Sequence, residues 1–339
     1  MKLMILDGNS VINRAFFGVK PLTTRDGLYT HAIYGFLNIL EKMEKEEQPD
    51  ALCVAFDLHG PTFRHLRYDG YKATRHGMPE ELAMQMPVMK DVLRAMNIPI
   101  YECQGWEADD VIGTVGKICS NNGWECVVVT GDRDSLQLID ENVHVKLVIS
   151  KAGQTNATLY TEEKFKEEYG FEPKRLIDLK ALMGDSSDNI PGVKGIGEKT
   201  AKNLLMKFGT LDGVYENLDD SIVKPKMREN LVTYKDDAYL SYELATIVSE
   251  APIDFEPRMP SSCPTTVLLC TNCSKDWSLF ASSTSTVCVA RKWRWKSPLP
   301  AIVRRCPGVM KCLPAACLAR CILRKTAPWV LPGRRAYAP

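Results

Sequence analysis

Aspartates stand where short apolar runs end. Asp7 follows Lys2–Leu6, Asp57 follows Ala51–Phe56, and Asp132 and Asp134 lie just past Cys126–Thr130. Runs of this length bounded by polar turns read as buried strands. Glu107, Asp109 and Asp110 open a stretch with helical apolar spacing, and Asp185 and Asp188 lie one helical turn apart in Gly184-Asp-Ser-Ser-Asp-Asn-Ile-Pro-Gly192. In an open parallel α/β sheet the strand C-termini share one edge, where ligands bind. Nine carboxylates in one cleft repel one another, and their pKa values rise unless a cation sits among them. Hard oxygen donors without Cys or His suit Mg²⁺ or Mn²⁺. Two such ions, about 3.5–4 Å apart, are the usual arrangement for phosphodiester cleavage, one activating the water and one stabilising the leaving oxygen. Taken singly, each acid has a plainer reading: a strand-end Asp forms turns or caps helices, and Asp109 and Asp110 favour a first turn electrostatically. Their combination at one edge points to a metal site.

Phosphate-binding residues are expected beside them. Arg64, Arg67, Lys72 and Arg75 crowd the segment Leu58–Pro79 against Asp69 alone, interleaved with Tyr68 and Tyr71. Following Asp57, this segment overhangs the carboxylates, where cations suit a phosphate backbone and tyrosines suit stacking on bases. Taken alone, it also reads as a solvated basic loop. A second cluster, Gly192-Val-Lys-Gly-Ile-Gly-Glu-Lys-Thr-Ala201, has the form of a helix-hairpin-helix that grips a DNA backbone, with Gly192, Lys194, Gly195, Gly197, Lys199, Thr200 and Lys202 as its contacts. The plainer alternative is an ordinary helical packing turn.

The elements that position these groups alternate. Besides the three strands above, Val143–Ile149 reads as a fourth. Between them, Ile33, Phe36, Leu37 and Leu40 share one helix face, Leu82, Met86, Met89, Leu93 and Met96 another, with a kink or break expected at Pro87, and Val111, Ile112, Val115 and Ile118 a third. This order predicts an α/β fold, a parallel sheet flanked by helices, over residues 1–160. From 161 to 258 the apolar residues follow short helical patterns broken by Gly and Pro, which predicts a small all-helical domain.

The 339 residues divide by charge as well. Thirteen of the 43 bases and one of the 42 acids fall in 261–339, so that stretch carries +12 and residues 1–260 carry −11. Eight of the 12 cysteines are in this tail. Its Cys270-x-x-Cys273 lacks a second pair at zinc spacing. Loss of one base at Pro257 explains the tail better. Arg258 onward, in the other frame, permits EDAKQLPYNRAALYELFKRLEF, an acidic amphipathic continuation. Residues 259–339 are therefore expected to be an unstructured, out-of-frame tail without function. No apolar run of membrane-spanning length occurs, and Asp7 comes too soon for a signal peptide, so a cytoplasmic protein is expected.

With these motifs in place, residues 1–258 closely resemble the 5′-nuclease domain at the N-terminus of bacterial DNA polymerase I, a flap-endonuclease relative. The match is carried by Leu6-Asp-Gly-Asn-Ser10, Phe56-Asp57, Phe63-Arg64, Tyr71-Lys-Ala-Thr-Arg75, Met78-Pro79, Glu107-Ala-Asp-Asp-Val-Ile-Gly113, Thr130-Gly-Asp-Arg-Asp134 and Gly184 to Gly197, in family order. The resemblance implies a PIN-like nuclease fold with a helical clamp. It implies two divalent ions, Asp7, Asp57, Glu107 and Asp109 chiefly around one, and Asp110, Asp132, Asp134, Asp185 and Asp188 around or near the other. Lys72 and Arg75 match the clamp bases that steer and polarise the scissile phosphate. The hairpin motif would hold downstream duplex, with a K⁺ ion on its carbonyls. The implied partner is DNA with 5′ flaps, nicks or branches, cut by a monomer in replication and repair. The family pattern stops near Pro257, and no polymerase pattern follows.

Two readings compete with an enzyme: a non-catalytic DNA-junction binder, which has no use for clustered carboxylates facing a polyanion, and an inert truncated fragment spoiled by its tail. A ribonuclease of the wider PIN family is a further alternative, although such proteins do not require the hairpin motif.

Overall fold

The computed structural model describes residues 1–257, apart from Asp26, His76, Ala152 and Gly153, together with Phe280–Ser282 and Thr286–Cys288. The chain runs β1 (Lys2–Asp7), α1 (Gly8–Gly18), α2 (His31–Glu47), β2 (Ala51–Ala55), α3 (Phe63–Arg67), α4 (Glu80–Ala83), α5 (Gln85–Ala95), β3 (Ile100–Tyr101), α6 (Ala108–Asn121) and β4 (Glu125–Thr130). A 3₁₀ turn at Asp134–Leu138 leads to β5 (Val143–Lys151) and β6 (Gln154–Tyr160). Six helices follow: α7 (Glu162–Tyr169), α8 (Leu176–Met183), α9 (Glu198–Phe208), α10 (Leu211–Glu216), α11 (Pro225–Thr233) and α12 (Lys235–Ala245).

The sheet has the order β3-β2-β1-β4-β5-β6. Its first five strands are parallel, but β6 pairs antiparallel with β5. The expected parallel sheet flanked by helices is present in these five strands, and β6 adds an antiparallel strand at the edge. The chain reaches β6 by a short reversal, with Lys151 paired to Gln154, and such a reversal fixes antiparallel pairing. From β1 the chain builds outward to β2 and β3, then returns to place β4 on the other side of β1. That reversal makes the β1–β4 boundary a topological switch point, where a crevice opens beyond the strand C-termini.

Both sheet faces are buried. Leu3, Ile5, Cys53, Cys126 and Val128 join one core with Val111, Ile112, Val115 and Cys119 of α6. The alternate residues Met4, Leu6, Val54, Val127 and Val129 are fully buried too, with α1 against the strands and α2 packed on α1. Burying each large α6 side chain contributes roughly 1.5–3 kcal/mol. This fixes the helix axis, and with it the acidic N-terminus at the sheet edge. The expected break near Pro87 falls at Met84, between α4 and α5. Proline has no N–H to give the Ala83 carbonyl and crowds it, so the helix parts one turn upstream.

Residues Met1–Pro21 and Tyr29–Cys263 form one compact unit. Within it Phe165, Leu179, Leu182, Leu204 and Leu231 of the helical part share the core that holds Leu3 and Val128. Phe280–Ser282 and Thr286–Cys288 pair antiparallel, and the rest of the expected unstructured tail lies outside the described residues. Among the described residues no helix is long and apolar enough to cross a membrane.

Candidate active site

The switch point is bridged by a chain of hydrogen bonds. Asp7 ends β1 and caps α1, its Oδ1 accepting the Ser10 N–H at 2.9 Å. Its Oδ2 accepts from the Thr130 hydroxyl at 2.7 Å. Thr130 Oγ1 accepts the Asp132 N–H, and Asp132 Oδ1 accepts the Asp134 N–H, each at 3.0 Å. The turn after β4 is thus wound back onto the end of β1. Asp57, just beyond β2, accepts the N–H of Ala108 at 2.7 Å and the amide of Asn9 at 2.9 Å. This ties a third strand end to the first residue of α6.

Asp185 and Asp188 arrive on a loop closed by paired backbone hydrogen bonds between Asp185 and Ile190, 2.9 and 2.8 Å. Its base needs two glycines. Gly184 (φ 72°) and Gly192 (φ 61°) face each other so closely that a Cβ on Gly192 would lie 2.2 Å from the Gly184 nitrogen.

Asp7, Asp57, Glu107, Asp109, Asp132, Asp134 and Asp188 line one cleft with Lys72 and Arg75. Asp132, Asp134, Asp185 and Asp188 line an adjoining cavity with Arg14, Arg75, Arg133 and Lys180. The crowding shows in the acids. Burial lifts the Asp7 carboxyl to about 7, helped by repulsion from Asp57 and Asp132 and opposed by the Ser10 and Thr130 hydrogen bonds. Burial and then the charges of Asp7, Asp132 and Asp57 push Asp109 well above the ordinary carboxylate range. Asp134 is raised to about 6 by burial and Asp132, with Lys180 opposing.

Elsewhere protein cations take up the charge. Lys72 lies 2.8 Å from Glu107, Arg75 pairs with Asp188, and Lys180 bridges Asp134, at 2.8 Å, to Asp185. Burial would raise Glu107, but Lys72 and Arg64 hold it below its usual value. Likewise Lys180 and Ser187 outweigh burial at Asp185. Among the described residues no three Asp, Glu, His or Cys groups are closed onto one point as ion ligands. Like charges stay apart without a cation, and the lysines and arginine compete for them. The donor set still fits a hard divalent ion: every group is an oxygen donor, and three are acids whose protons a cation would displace.

Three expected site residues are placed differently. Asp110 lines neither cavity. It is fully buried and accepts both guanidinium nitrogens of Arg64, at 2.8 and 2.7 Å, and the N–H groups of Glu107 and Val248, at 3.1 and 2.9 Å. Asp109 and Asp110 differ by about 100° around the helix axis, so one meets the cleft and the other the core. Arg64, expected on DNA, is 3% exposed, with its remaining bonds to Glu107 and to the carbonyls of Leu244 and Thr246. No donor is left for a phosphate. Tyr71 is 4% exposed and donates to Glu107 at 3.0 Å, so its ring cannot take a base in this arrangement.

Lys72 and Arg75 are at the cleft rim, with Lys72 in the left-handed region (φ 55°) and its N–H donating to the Asp188 carbonyl at 2.8 Å. Arg67 is exposed and paired with Glu243. In the hairpin, buried Val193 and Ile196 anchor the turn while Lys194, Gly195, Gly197 and Lys199 are exposed; Thr200 and Lys202 on α9 are half-buried. The Gly192 N–H is buried and donates to Ser241 at 2.9 Å, so this glycine shapes the loop. Sequence reasoning passed over Thr130 and Lys180. Lys180 had a signal: on α8, five residues before Asp185, a basic side chain stands near the acids.

Residues 2–170 match the 5′-3′ exonuclease N-terminal resolvase-like domain, and residues 171–264 match the 5′-3′ exonuclease C-terminal SAM fold. The chain is 50% identical over 254 residues to a DNA polymerase I of Caldicellulosiruptor bescii, covering 75% of this chain and 30% of that protein. It is 46% identical over 253 residues to that of Bacillus subtilis, covering 75% and 28%. The chain thus spans less than a third of these relatives. Among solved structures, zinc-bound T5 5′-exonuclease shares the fold at TM-score 0.59 and 24% identity, over 72% of this chain and 89% of that one. A bacteriophage T5 flap endonuclease complex with DNA and metal ions does so at TM-score 0.57 and 24% identity, over the same shares. Matched in order by both halves of that model, the chain belongs to the 5′-3′ exonuclease family.

Proposed function

We propose that this chain is a divalent-metal-dependent, structure-specific 5′ nuclease that hydrolyses DNA phosphodiesters, removing 5′ nucleotides and cutting 5′ flaps in replication and repair. The observation that carries the reading is the cleft itself. Carboxylates from three strand ends, a helix N-terminus and a glycine-hinged loop share it with Lys72 and Arg75. A protein that only bound DNA would gain nothing from such a charge facing a polyanion.

In this reading Asp7, Asp57, Glu107 and Asp109 hold one Mg²⁺ or Mn²⁺ ion, and Asp132, Asp134, Asp185 and Asp188 the other. When bound, the ions supply an activated water and stabilise the leaving oxygen. Thr130 and Ser10 hold the Asp7 carboxylate for its ion. Lys72 and Arg75 leave Glu107 and Asp188 to those ions and turn their positive charge on the phosphate. Asp110 and Arg64 act beneath the site, fixing the backbone at Glu107. Lys194, Gly195, Gly197, Lys199, Thr200 and Lys202 grip the duplex backbone, with K⁺ on the hairpin carbonyls. Residues 1–160 are the catalytic module and 161–258 the DNA-holding one, working as a cytoplasmic monomer.

The test is cleavage of a labelled 5′-flap duplex by the full chain in Mg²⁺ and in EDTA, beside Asp132→Ala. Cleavage in Mg²⁺ alone, lost in the variant while flap binding persists, is expected. Binding without cleavage in Mg²⁺ or Mn²⁺ would make the protein a junction binder.

A further inference from the structure

Arg133 stands between two of the acids, and its guanidinium reaches the helical part. Its Nη1 donates to the Tyr169 hydroxyl at 3.2 Å and lies 3.9 Å from Glu168. Tyr169 is a rigid post: it is buried, and its ring stacks on Phe165 with centroids 4.2 Å apart and planes within 2°. On the same tyrosine, Lys202 of α9 sets its ammonium 4.8 Å from the ring centroid. Two cations from distant segments therefore converge on one fixed side chain, and both keep solvent access, 60% for Arg133 and 29% for Lys202. Each alone is a surface cation. Held together, they make a place for an anion.

The chain already puts an anion against each of them, Glu168 near Arg133 and Glu198 on Lys202. Glu198, the first residue of α9, pairs with Lys202 at 2.7 Å. Its carboxyl is held below the usual range by Lys202 first, with Arg133 and Lys180 adding to the same field. Gly197, which caps α9, has no side-chain oxygen to offer the first-turn N–H groups. An anion at this position thus pairs with Lys202, lies in the field of Arg133, and stands at the positive end of a helix.

We propose that Arg133 and Lys202, spaced by Tyr169, form a phosphate seat on the path from the acid cleft to the hairpin, for which Glu198 is the chain's own competing anion. The ligand is a backbone phosphate of the DNA under cleavage, and the inference rests on the nuclease reading above. The seat links the loop carrying Asp132 and Asp134 to the element that grips the duplex. A strand bound there is registered against the reacting phosphate.

The experiment measures anisotropy of a labelled 5′-flap duplex on the full chain, with Ca²⁺ replacing Mg²⁺, across a salt series. Arg133→Gln and Lys202→Gln should each raise Kd about 3-fold or more and flatten the slope of log K against log salt by about one. Glu198→Gln should tighten binding by about 2-fold or more. Parental Kd and slope in both basic variants overturn the seat. So does an Arg133→Gln variant that loses turnover at unchanged Kd, since that makes Arg133 a support of its own loop. Should Arg133→Gln fail to fold, Glu198→Gln, at a 60% exposed side chain, decides the matter, and an unchanged Kd there overturns the seat. Cleavage by the parent in Mg²⁺, measured alongside, tests the nuclease reading separately.

Discussion

Removing the Arg64 guanidinium should cost the protein far more stability than removing any of its exposed bases. In the native state this group makes two bonds to Asp110, one to Glu107 and one each to the carbonyls of Leu244 and Thr246. Arg64→Met keeps most of the volume and removes all five. Asp110, fully buried, keeps only the N–H groups of Glu107 and Val248. Breaking a buried ion pair from one side costs about 3–5 kcal/mol, because a charge is left without a partner. The two orphaned carbonyls add about 1 kcal/mol or more each where water does not reach them. A loss of about 5–7 kcal/mol is therefore expected in urea unfolding at neutral pH. In Arg64→Met/Asp110→Leu no buried charge is stranded, and much of the loss should return. A single variant that loses less than about 1 kcal/mol, or a double variant that loses the sum of the singles, would refute the reasoning.

The raised carboxyls of Asp7, Asp109 and Asp134 keep protons in the native state that the unfolded chain has released. In metal-free buffer they should make stability fall as pH rises from about 4, their unfolded value, towards 7. Mg²⁺ should then displace protons near pH 6.5, measured by calorimetry in buffers of different ionisation enthalpy; binding without proton release would contradict the assignment. Lys72→Ala should slow cleavage more than it weakens duplex binding, and equal losses would reduce Lys72 to a phosphate anchor. Gly192→Ala forces a side chain into the left-handed region and onto Gly184. It should lower stability by about 2 kcal/mol or more, and an unchanged thermal melt would refute the close approach.

The convergence of the cleft acids was legible because strand ends are legible: an apolar run that stops at Asp7 or Asp57 tells which edge receives the carboxylate. The turn through Gly192–Gly197 was legible from Pro-Gly-x-x-Gly-x-Gly, because those glycines permit a tight reversal. The inward turn of Asp110 was not. Adjacent acids at a helix start look alike until the helix is seated on its sheet. The burial of Arg64 and Tyr71 was hidden for a related reason. Their partners Glu107, Asp110 and Leu244 lie between 36 and 180 residues away, and charge density in a window reports none of that. β3 has two residues and β6 is largely polar, so neither carries an apolar period. Both owe their existence to pairing with a neighbour already in place.

After α12 the chain runs back across the catalytic part, stitched there by side chains. Ile247 donates to Gln137, Val248 to Asp110 and Ala251 to Thr114, each at 2.9 Å, and Tyr101 donates to the Glu256 carbonyl at 3.0 Å. A ribosome makes this segment after all six strands of the large sheet and after α12. Until it emerges, Arg64 lacks the Thr246 carbonyl and Asp110 lacks the Val248 N–H. Every acid of the site has been synthesised by then, yet the pocket is unfinished. A nascent chain stalled short of residue 244 should be an incomplete nuclease and open to proteases. The cleft is completed only when a segment far along the chain closes onto it, and contacts separated by this much sequence form slowly.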